Sequence, residues 1–305
     1  MTDSTKIIFA NHEIRKSKQQ KTYFIDWVSG YIKNIGYDVK IEKGSFGARN
    51  IVVGDVKNAR VIFTAHYDTC AAMPIPNFIT PKSILCYIIY QIILSLFIIA
   101  LPVAVAFLVG LIEEALMPLV TLVGIYTMLL LLMFGPANKH TANDNTSGVT
   151  TVLDLLTALP EDKRGEVAFV LFDLEEAGLL GSSSFAKKHR DEIKHTLLIN
   201  FDCVSDGDNI LFALNRKAKE YTEVIKTAYD TNSNFNVDVC YKGVFYPSDQ
   251  MNMPKGVGVA ALKKSKKLGV LYMDKIHTKK DTVYKLENID FLVKGSLNLI
   301  DSIQG

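Results

Sequence analysis

Five short groups of metal-binding side chains follow one another along the chain: His66-Tyr67-Asp68, Asp144, Glu175-Glu176, Asp202 and His277. Imidazole nitrogen and carboxylate oxygen are zinc donors at about 2.0–2.2 Å, and a catalytic site keeps one position for water or substrate. Two ions about 3.5–4 Å apart need a bridging carboxylate and an outer set of His, Asp or Glu. Asp144, in the turn ANDNTSG ahead of a helix, is well placed to bridge. His66 and Asp202 could complete one ion, and Glu176 and His277 the other. Asp68, two residues from His66, could accept a hydrogen bond from an imidazole and fix its tautomer. Glu175 could then take the proton from water as it attacks a carbonyl. Taken singly these residues say little: a His near a strand end is often merely packed, and an acid pair at a helix start answers the dipole. The signal lies in the five groups together, in this order.

Such groups need a frame. Residues 19–34 carry helical spacing, with Phe24, Trp27, Val28, Tyr31, Ile32 and Ile35 recurring at three and four. Strand-like runs follow at 37–41, 50–53 and 60–65, the last apolar throughout, as expected of a strand covered on both faces. A helix is predicted over 146–159, capped by Thr146 or Ser147, then the strand VAFVLF, a helix over 179–188 and the strand LLINF. A strand at 210–214, a helix over 218–229, strands near VDVCY, VGVAAL and GVLYM, and a last helix over 286–303 complete the pattern. This alternation predicts a mixed, mostly parallel α/β sheet with helices on both faces. Functional residues in such sheets gather beyond the carboxyl ends of the strands. His66 follows VIFTA, Glu175 and Glu176 follow VAFVLF, and Asp202 follows LLINF, so three of the five groups fall where a site belongs.

Residues 83–112 hold no charge, Glu113-Glu114 interrupts, and 115–138 is again uncharged. About 20 apolar residues suffice to span a bilayer, and runs apolar on every face do not suit a one-sided core helix. Residues 82–138 are therefore expected to form an inserted two-helix transmembrane hairpin, with Pro102 and Pro118 placed to kink it. Residues 1–81 and 139–305 then make one α/β domain, the roughly 250 residues left being enough for a full core. Lys82 and Lys139 flank the spans while the connecting turn carries two acids, which predicts a cytoplasmic catalytic domain on a prokaryotic cytoplasmic membrane.

The net charge of +2 offers no basic field for nucleic acid. Lys263, Lys264, Lys266 and Lys267 form the one dense basic cluster, expected as a solvated turn, with contact to anionic lipid headgroups as the lesser alternative. Cys70, Cys86, Cys203 and Cys240 show no CxxC spacing and are expected as buried free thiols in a reducing compartment. The first twenty residues lack the pattern of a signal peptide. His12, His140, His189 and His195 are expected as surface histidines.

The segments TAHYDT (64–69), ANDNTSGV (142–149), FDLEEAGLLGS (172–182), INFDCVSDG (199–207) and IHTKKDT (276–282) resemble, in order and context, those of the cocatalytic dizinc aminopeptidases. Relatives of that family include glutamate carboxypeptidase and the glutaminyl cyclases. The likeness runs from residue 60 to 285. It implies a zinc exopeptidase-like fold, two Zn2+ ions (Co2+ or Mn2+ as substitutes) and removal of N-terminal residues from peptides. It further implies His66, Asp144, Glu176, Asp202 and His277 as ligands, Asp144 bridging, with Glu175 as base and Asp68 supporting catalysis.

The chain also departs from that pattern. Gln250 stands where the family often has the His of Ser-Asp-His, which predicts an altered substrate pocket. Ile276 replaces a frequent Tyr before the last ligand, leaving Tyr246 as the nearest oxyanion-stabilising hydroxyl. The hairpin is an insertion relative to soluble members. The expected partners are peptide and bilayer, with no nucleic acid, and a homo-oligomer stays open. The alternatives are a single-zinc glutaminyl cyclase-like enzyme and a non-catalytic membrane receptor or scaffold on the same fold. A transporter is excluded, because two spans with little polarity beyond Gln91 offer no pathway. A reporter fused after Gly305 is expected to behave as cytoplasmic; a periplasmic signal would overturn the orientation.

Overall fold

Short apolar runs with no polar face must lie in the middle of a sheet, where both sides are covered. The computed structural model, which describes residues 2–230 and 234–303, gathers them into one nine-stranded sheet. Its strands are β1 (Val39–Lys43), β2 (Arg49–Val53), β3 (Val61–His66), β4 (Val167–Phe172), β5 (Leu197–Phe201), β6 (Asn209–Leu214), β7 (Asn236–Cys240), β8 (Gly256–Lys264) and β9 (Leu271–Tyr272). The order is β1-β2-β4-β3-β5-β8-β6-β7, with β9 on β8. The centre, β4-β3-β5-β8, is parallel. β1 with β2, β2 with β4, and β6 with β8 are antiparallel, while β6 and β7 are again parallel. The fold is thus the mixed sheet that the alternation of elements predicts. Every residue of β3, β4 and β5 is buried, whereas edge strand β1 has no buried position.

The helices are α1 (Asp3–Asn11), α2 (Lys18–Asn34), α3 (Ile84–Gly110), α4 (Met117–Phe134), α5 (Gly148–Ala158), α6 (Leu180–Lys188), α7 (Thr222–Tyr229) and α8 (Leu286–Ser302). Residues from α2, α5, α7 and α8 pack on one face of the sheet, around Phe63, Phe169 and Phe201. The Phe63 ring stacks at 6.1 Å on Phe169 and 6.0 Å on Phe201, tying three adjacent strands together. Phe185 of α6 covers the other face with Val52, Ile62 and Phe172. Ser17 opens α2 with a capping box, its hydroxyl accepting from Gln20 N and the Gln20 side chain accepting from Ser17 N.

Three local features differ from the sequence expectation. α1 is an added helix, with Ile8 buried under its one apolar turn. Residues 216–221 form a tighter turn, so α7 is shorter than its periodicity suggests. His189 is not a free surface group: its Nε2 lies 2.9 Å from Glu42, its ring stands over Phe185, and its side chain is 11% exposed.

α3 and α4 pack against each other, with Gly124 close enough to Pro102 that a Cβ there would meet it at 2.7 Å. Ile84–Gly110 and Glu114–Phe134 are strongly apolar, yet almost nothing of their most apolar stretches is buried. Both are long and apolar enough to cross a membrane. β3 precedes this hairpin and β4 follows it, yet the two strands are neighbours, so the hairpin leaves an intact sheet. Its legs run side by side: Ala71 bridges Ala137, Ala72 N donates to Pro136 O at 2.8 Å, and Asn138 N to Cys70 O at 3.1 Å. Replacing residues 83–134 with a short Gly/Ser linker is expected to leave the sheet folded. Circular dichroism and one cooperative melt without detergent would show it; loss of that melt would mean the helices hold the body together.

Candidate metal centre

The parallel strands end at one rim, and the site is assembled there. His66 is the last residue of β3 and is buried. Asp202 follows β5, its N–H continuing the ladder to Val259 O at 3.0 Å. Glu175 and Glu176 stand just beyond β4, and His277 lies in the loop between β9 and α8. Asp144 sits in the wide turn 142–147 that leads into α5.

That turn is fastened from three directions. Asp281 accepts Asn143 N at 2.8 Å and Asp144 N at 3.0 Å. Asn145 donates to Phe201 O at 2.9 Å and accepts Gly148 N and Cys203 N at 3.0 and 3.2 Å. Asn143 Oδ1 accepts Ser205 N at 2.7 Å. Gly148 has no room for a side chain, since a Cβ would meet Phe201 O at 2.3 Å. The end of β5 and the start of α5 are thereby held in contact, which brings Asp202 to Asp144.

The structure brings all five expected ligands together. Asp144 Oδ1 lies 3.3 Å from His66 Nε2, and its Oδ2 lies 2.9 Å from His277 Nε2. Asp202 Oδ1 is 3.6 Å from His66 Nε2, and Glu176 Oε2 is 3.3 Å from His277 Nε2. One carboxylate therefore faces two imidazoles, each with a further acid. Donor atoms of His66, Asp144 and Asp202 form one compact group, and those of Asp144, Glu176, His277 and Cys70 another, all within 4.8 Å of one another in each group.

Asp68 meets the His66 imidazole as its spacing suggested, through its backbone carbonyl, and takes a second part besides. His66 Nδ1 lies 3.1 Å from the Asp68 backbone carbonyl and 3.7 Å from its carboxylate. The carboxylate instead accepts Glu175 N at 3.0 Å and Glu176 N at 3.2 Å. It therefore positions the acid pair, while its carbonyl orients the imidazole. Behind it, Asp173 bonds Lys21 Nζ at 2.7 Å and Arg49 N at 3.0 Å, anchoring the same turn to α2 and β2. Arg15, fully buried, donates to Tyr67 O and to Thr146, a cation that the charged run around it hides from sequence inspection.

Three backbone positions at the site, Leu174, Cys203 and His277, have φ near +60° without being glycine. Such conformations cost about 1–3 kcal/mol each and persist where the surroundings impose them. They flank or carry expected ligands: Leu174 precedes the acid pair, Cys203 follows Asp202, and His277 is itself one of the five.

Electrostatics at the centre are strongly coupled. Burial opposes charge on His66, yet Glu175, Asp144, Asp202 and Asp68 raise its pKa well above the ordinary value. Burial likewise opposes charge on His277, while Glu176, Asp144 and Asp281 lift it to about 9. Burial also works against ionised Asp144, but His277 and His66 hold its carboxyl below the usual range. Burial pushes Glu176 up to about 8, with Asp144 and Asp68 adding to the shift and the two imidazoles opposing it. Glu175 is raised well above its ordinary value by burial, with Glu176, Asp202 and Asp249 adding and His66 opposing. So many acids in one dry place call for positive charge beyond the imidazoles. Glu176 Oε1 is buried with no protein partner. Hard oxygen and imidazole donors, arranged in two sets sharing Asp144, fit two divalent cations.

A cavity of about 130 Å³ opens onto this centre, lined by His66, Asp144, Glu175, Asp202, Cys203, Tyr246 and His277, with Asn77, Ile79, Met273 and Ile276 completing its wall. Tyr246 points its hydroxyl at Asp202 O, 3.0 Å away. Gln250 is not part of the cavity wall: it is buried, donates to Tyr246 O at 2.6 Å and accepts from Asn200. The change from the family's His thus acts on the wall only through Tyr246. Sequence reasoning missed Asp281 and Cys70, whose side chains carry no spacing signal, although Asp281 lies inside the IHTKKDT segment.

The fold is that of the zinc exopeptidase type. LapA aminopeptidase of Legionella pneumophila superposes with a TM-score of 0.60 at 12% identity, covering 98% of this chain and 68% of that one. Glutaminyl cyclase of Porphyromonas gingivalis gives 0.59 at 14% identity, with 97% and 95% covered. A leucine aminopeptidase precursor from Bacteroides thetaiotaomicron gives 0.56 at 13%, with 99% and 97% covered. No curated protein sequence matches the chain. The model of peptidase family M28 matches residues 126–294, more than half of the 305, and the chain belongs to that family. The matched span holds Asp144, Glu175, Glu176, Asp202 and His277; His66 and Asp68 lie before it.

Because Asp281 satisfies two buried N–H groups of the bridging turn, Asp281→Ala is expected to destabilise the protein by about 1–3 kcal/mol for each. Urea unfolding checks this, and an unchanged midpoint would show that the turn holds without it.

Proposed function

We propose that this chain is a membrane-anchored, zinc-dependent aminopeptidase that hydrolyses N-terminal residues of peptides with two ions and Glu175 as general base. The observation that carries the proposal is the Asp144 carboxylate, whose two oxygens face His66 and His277 at 3.3 and 2.9 Å. When bound, zinc supplies Lewis-acid polarisation of a carbonyl and lowers the pKa of water. His66 and Asp202 would hold one ion, Glu176 and His277 the other, with Asp144 shared. The chain's own groups do the rest. Glu175 lies on the cavity wall beside His66 and accepts the proton of the attacking water, then passes it to the leaving amine. Asp68 keeps Glu175 in place through its backbone N–H. Tyr246 offers the one phenol on the wall for a developing oxyanion, provided that it turns from Asp202 O.

The cavity is small, and Ile79, Met273 and Ile276 make part of its lining apolar. That favours one terminal side chain over a chain threading through, hence an exopeptidase. The two-ion reading is preferred to a single-zinc glutaminyl cyclase-like enzyme because Asp202 and His66 complete a second set around Asp144. Retention of Glu175 argues against a receptor or scaffold, which needs no base.

The membrane anchor is supported by the exposure of α3 and α4. A core helix would be buried, and theirs are apolar on every side and open. A leader would stand at the N-terminus, and these follow residue 83. The catalytic body is proposed on the cytoplasmic side, from Lys82 and Lys139 at the hairpin's roots.

Glu175→Gln is expected to keep its zinc and lose about 10²–10⁴-fold in turnover. Asp144→Asn is expected to lose both ions. Peptide-cleavage assays with metal analysis of the detergent-purified protein check both. Full activity in the Gln variant would remove Glu175 from the role of base, and one retained ion in the Asn variant would mean Asp144 does not bridge.

A further inference from the structure

Of the four cysteines, Cys203 lines the reaction cavity and Cys70 joins a group of metal donors. Cys70 is 2% exposed, and its sulfur forms a compact group with Asp144, Glu176 and His277, all donor atoms lying within 4.8 Å of one another. Among the described residues no other cysteine joins such a group, although Cys203 is also buried beside Asp202. We propose that Cys70 is a sulfur ligand of the second ion, joining Asp144, Glu176 and His277 as its fourth protein donor. The proposal rests on the two-ion reading above and adds to it a difference in donors, sulfur at one ion and only nitrogen and oxygen at the other.

The reaction cavity is walled by His66, Asp202 and Glu175, and by neither Cys70 nor Glu176. The three donors His66, Asp144 and Asp202 therefore border open space, as a catalytic zinc with one free position requires. The second set, Cys70, Asp144, Glu176 and His277, shares Asp144 and His277 with that wall and adds Cys70 and Glu176 from beyond it. The backbone aims the thiol there. Cys70 O accepts Asn138 N at 3.1 Å, and Asn138 Nδ2 donates to Thr278 O, next to His277, at 3.1 Å. Met73 N adds a 2.7 Å bond to His277 O. The strand leaving Asp68 and the loop carrying His277 are thus tied together with the sulfur between them. On binding, the thiol proton passes to solvent and the thiolate pair is donated to the ion. A soft donor also narrows metal choice, favouring zinc over manganese or magnesium at this position.

The test is zinc X-ray absorption on detergent-purified, zinc-loaded full-length protein, with zinc counted per chain, and on Cys70→Ser and Cys203→Ser. The expected result is two zinc ions and a sulfur shell at about 2.3 Å. That shell should disappear in Cys70→Ser and persist in Cys203→Ser, and the second zinc in Cys70→Ser should yield to chelator at least about tenfold more readily. Two zinc ions with only nitrogen and oxygen neighbours in the wild type would overturn the proposal, whether or not the Ser variant folds. So would a sulfur shell that survives Cys70→Ser. A single zinc ion whose sulfur shell depends on Cys70 would keep the ligand and overturn the two-ion reading. A single zinc without sulfur would overturn both.

Discussion

The site depends on keeping one carboxylate, Asp144, between two imidazoles at hydrogen-bonding range while burying Asp144 and His66 and leaving His277 partly open. Isolated, such a cluster is costly, since every added acid raises the charge that the dry interior must accommodate. The structure meets that cost by rigidity. Asp281, Asn143 and Asn145 convert a turn into a fixture, with bonds running to the end of β5, to the loop before α8 and to the start of α5. The strained residues Leu174, Cys203 and His277 are the local expression of the same constraint. Moving any of them to a relaxed backbone would swing a donor away from the shared oxygen pair.

The sheet is what makes this economical. β3, β4 and β5 lie side by side and parallel, so their carboxyl ends deliver His66, the acid pair and Asp202 to a single rim. Helix packing on both faces leaves that rim as the open edge. The hairpin enters at the same rim, between the ligand of β3 and the bridging turn. Its legs bond to each other at Ala71–Ala137 before they diverge, so the insertion adds two helices without separating the ligands. The family match begins inside α4 and misses His66, because the inserted helices separate the first metal motif from the rest of the sequence.

Much of this was legible in the sequence, and the reason differs by element. β3, β4 and β5 announce themselves because a strand covered on both faces has no polar positions. The five ligands were found because their type, order and neighbours are jointly rare. Strand direction was not legible for β2 or β6, since residue patterns do not record which way a neighbour runs. α1 was missed because Ile7, Ile8 and Phe9 are too few to set a period. Asp68 was expected to meet the His66 imidazole, and it does so through its carbonyl more closely than through its carboxylate, a choice of atom that spacing does not record. Arg15 and Lys21 sit in a charged stretch that looks solvated, and only tertiary packing shows that both are buried. Cys70 and Asp281 likewise gain meaning only from what the fold sets beside them.

One consequence follows from the unequal lengths of the two apolar helices. At 1.5 Å per residue, α3 spans about 40 Å and α4 about 27 Å, against a hydrocarbon layer of roughly 30 Å. The excess of α3 is accounted for at its beginning, where Tyr87 packs edge-on against Phe245 and the Tyr90 hydroxyl bonds Pro76 O at 2.7 Å. Those first two turns belong to the α/β body, and the remaining twenty or so residues match the bilayer. Tyrosines at that level sit where aromatic side chains prefer the headgroup zone. The body would then ride flush against the lipid, and a peptide would approach the metals sideways through the headgroups instead of from open water.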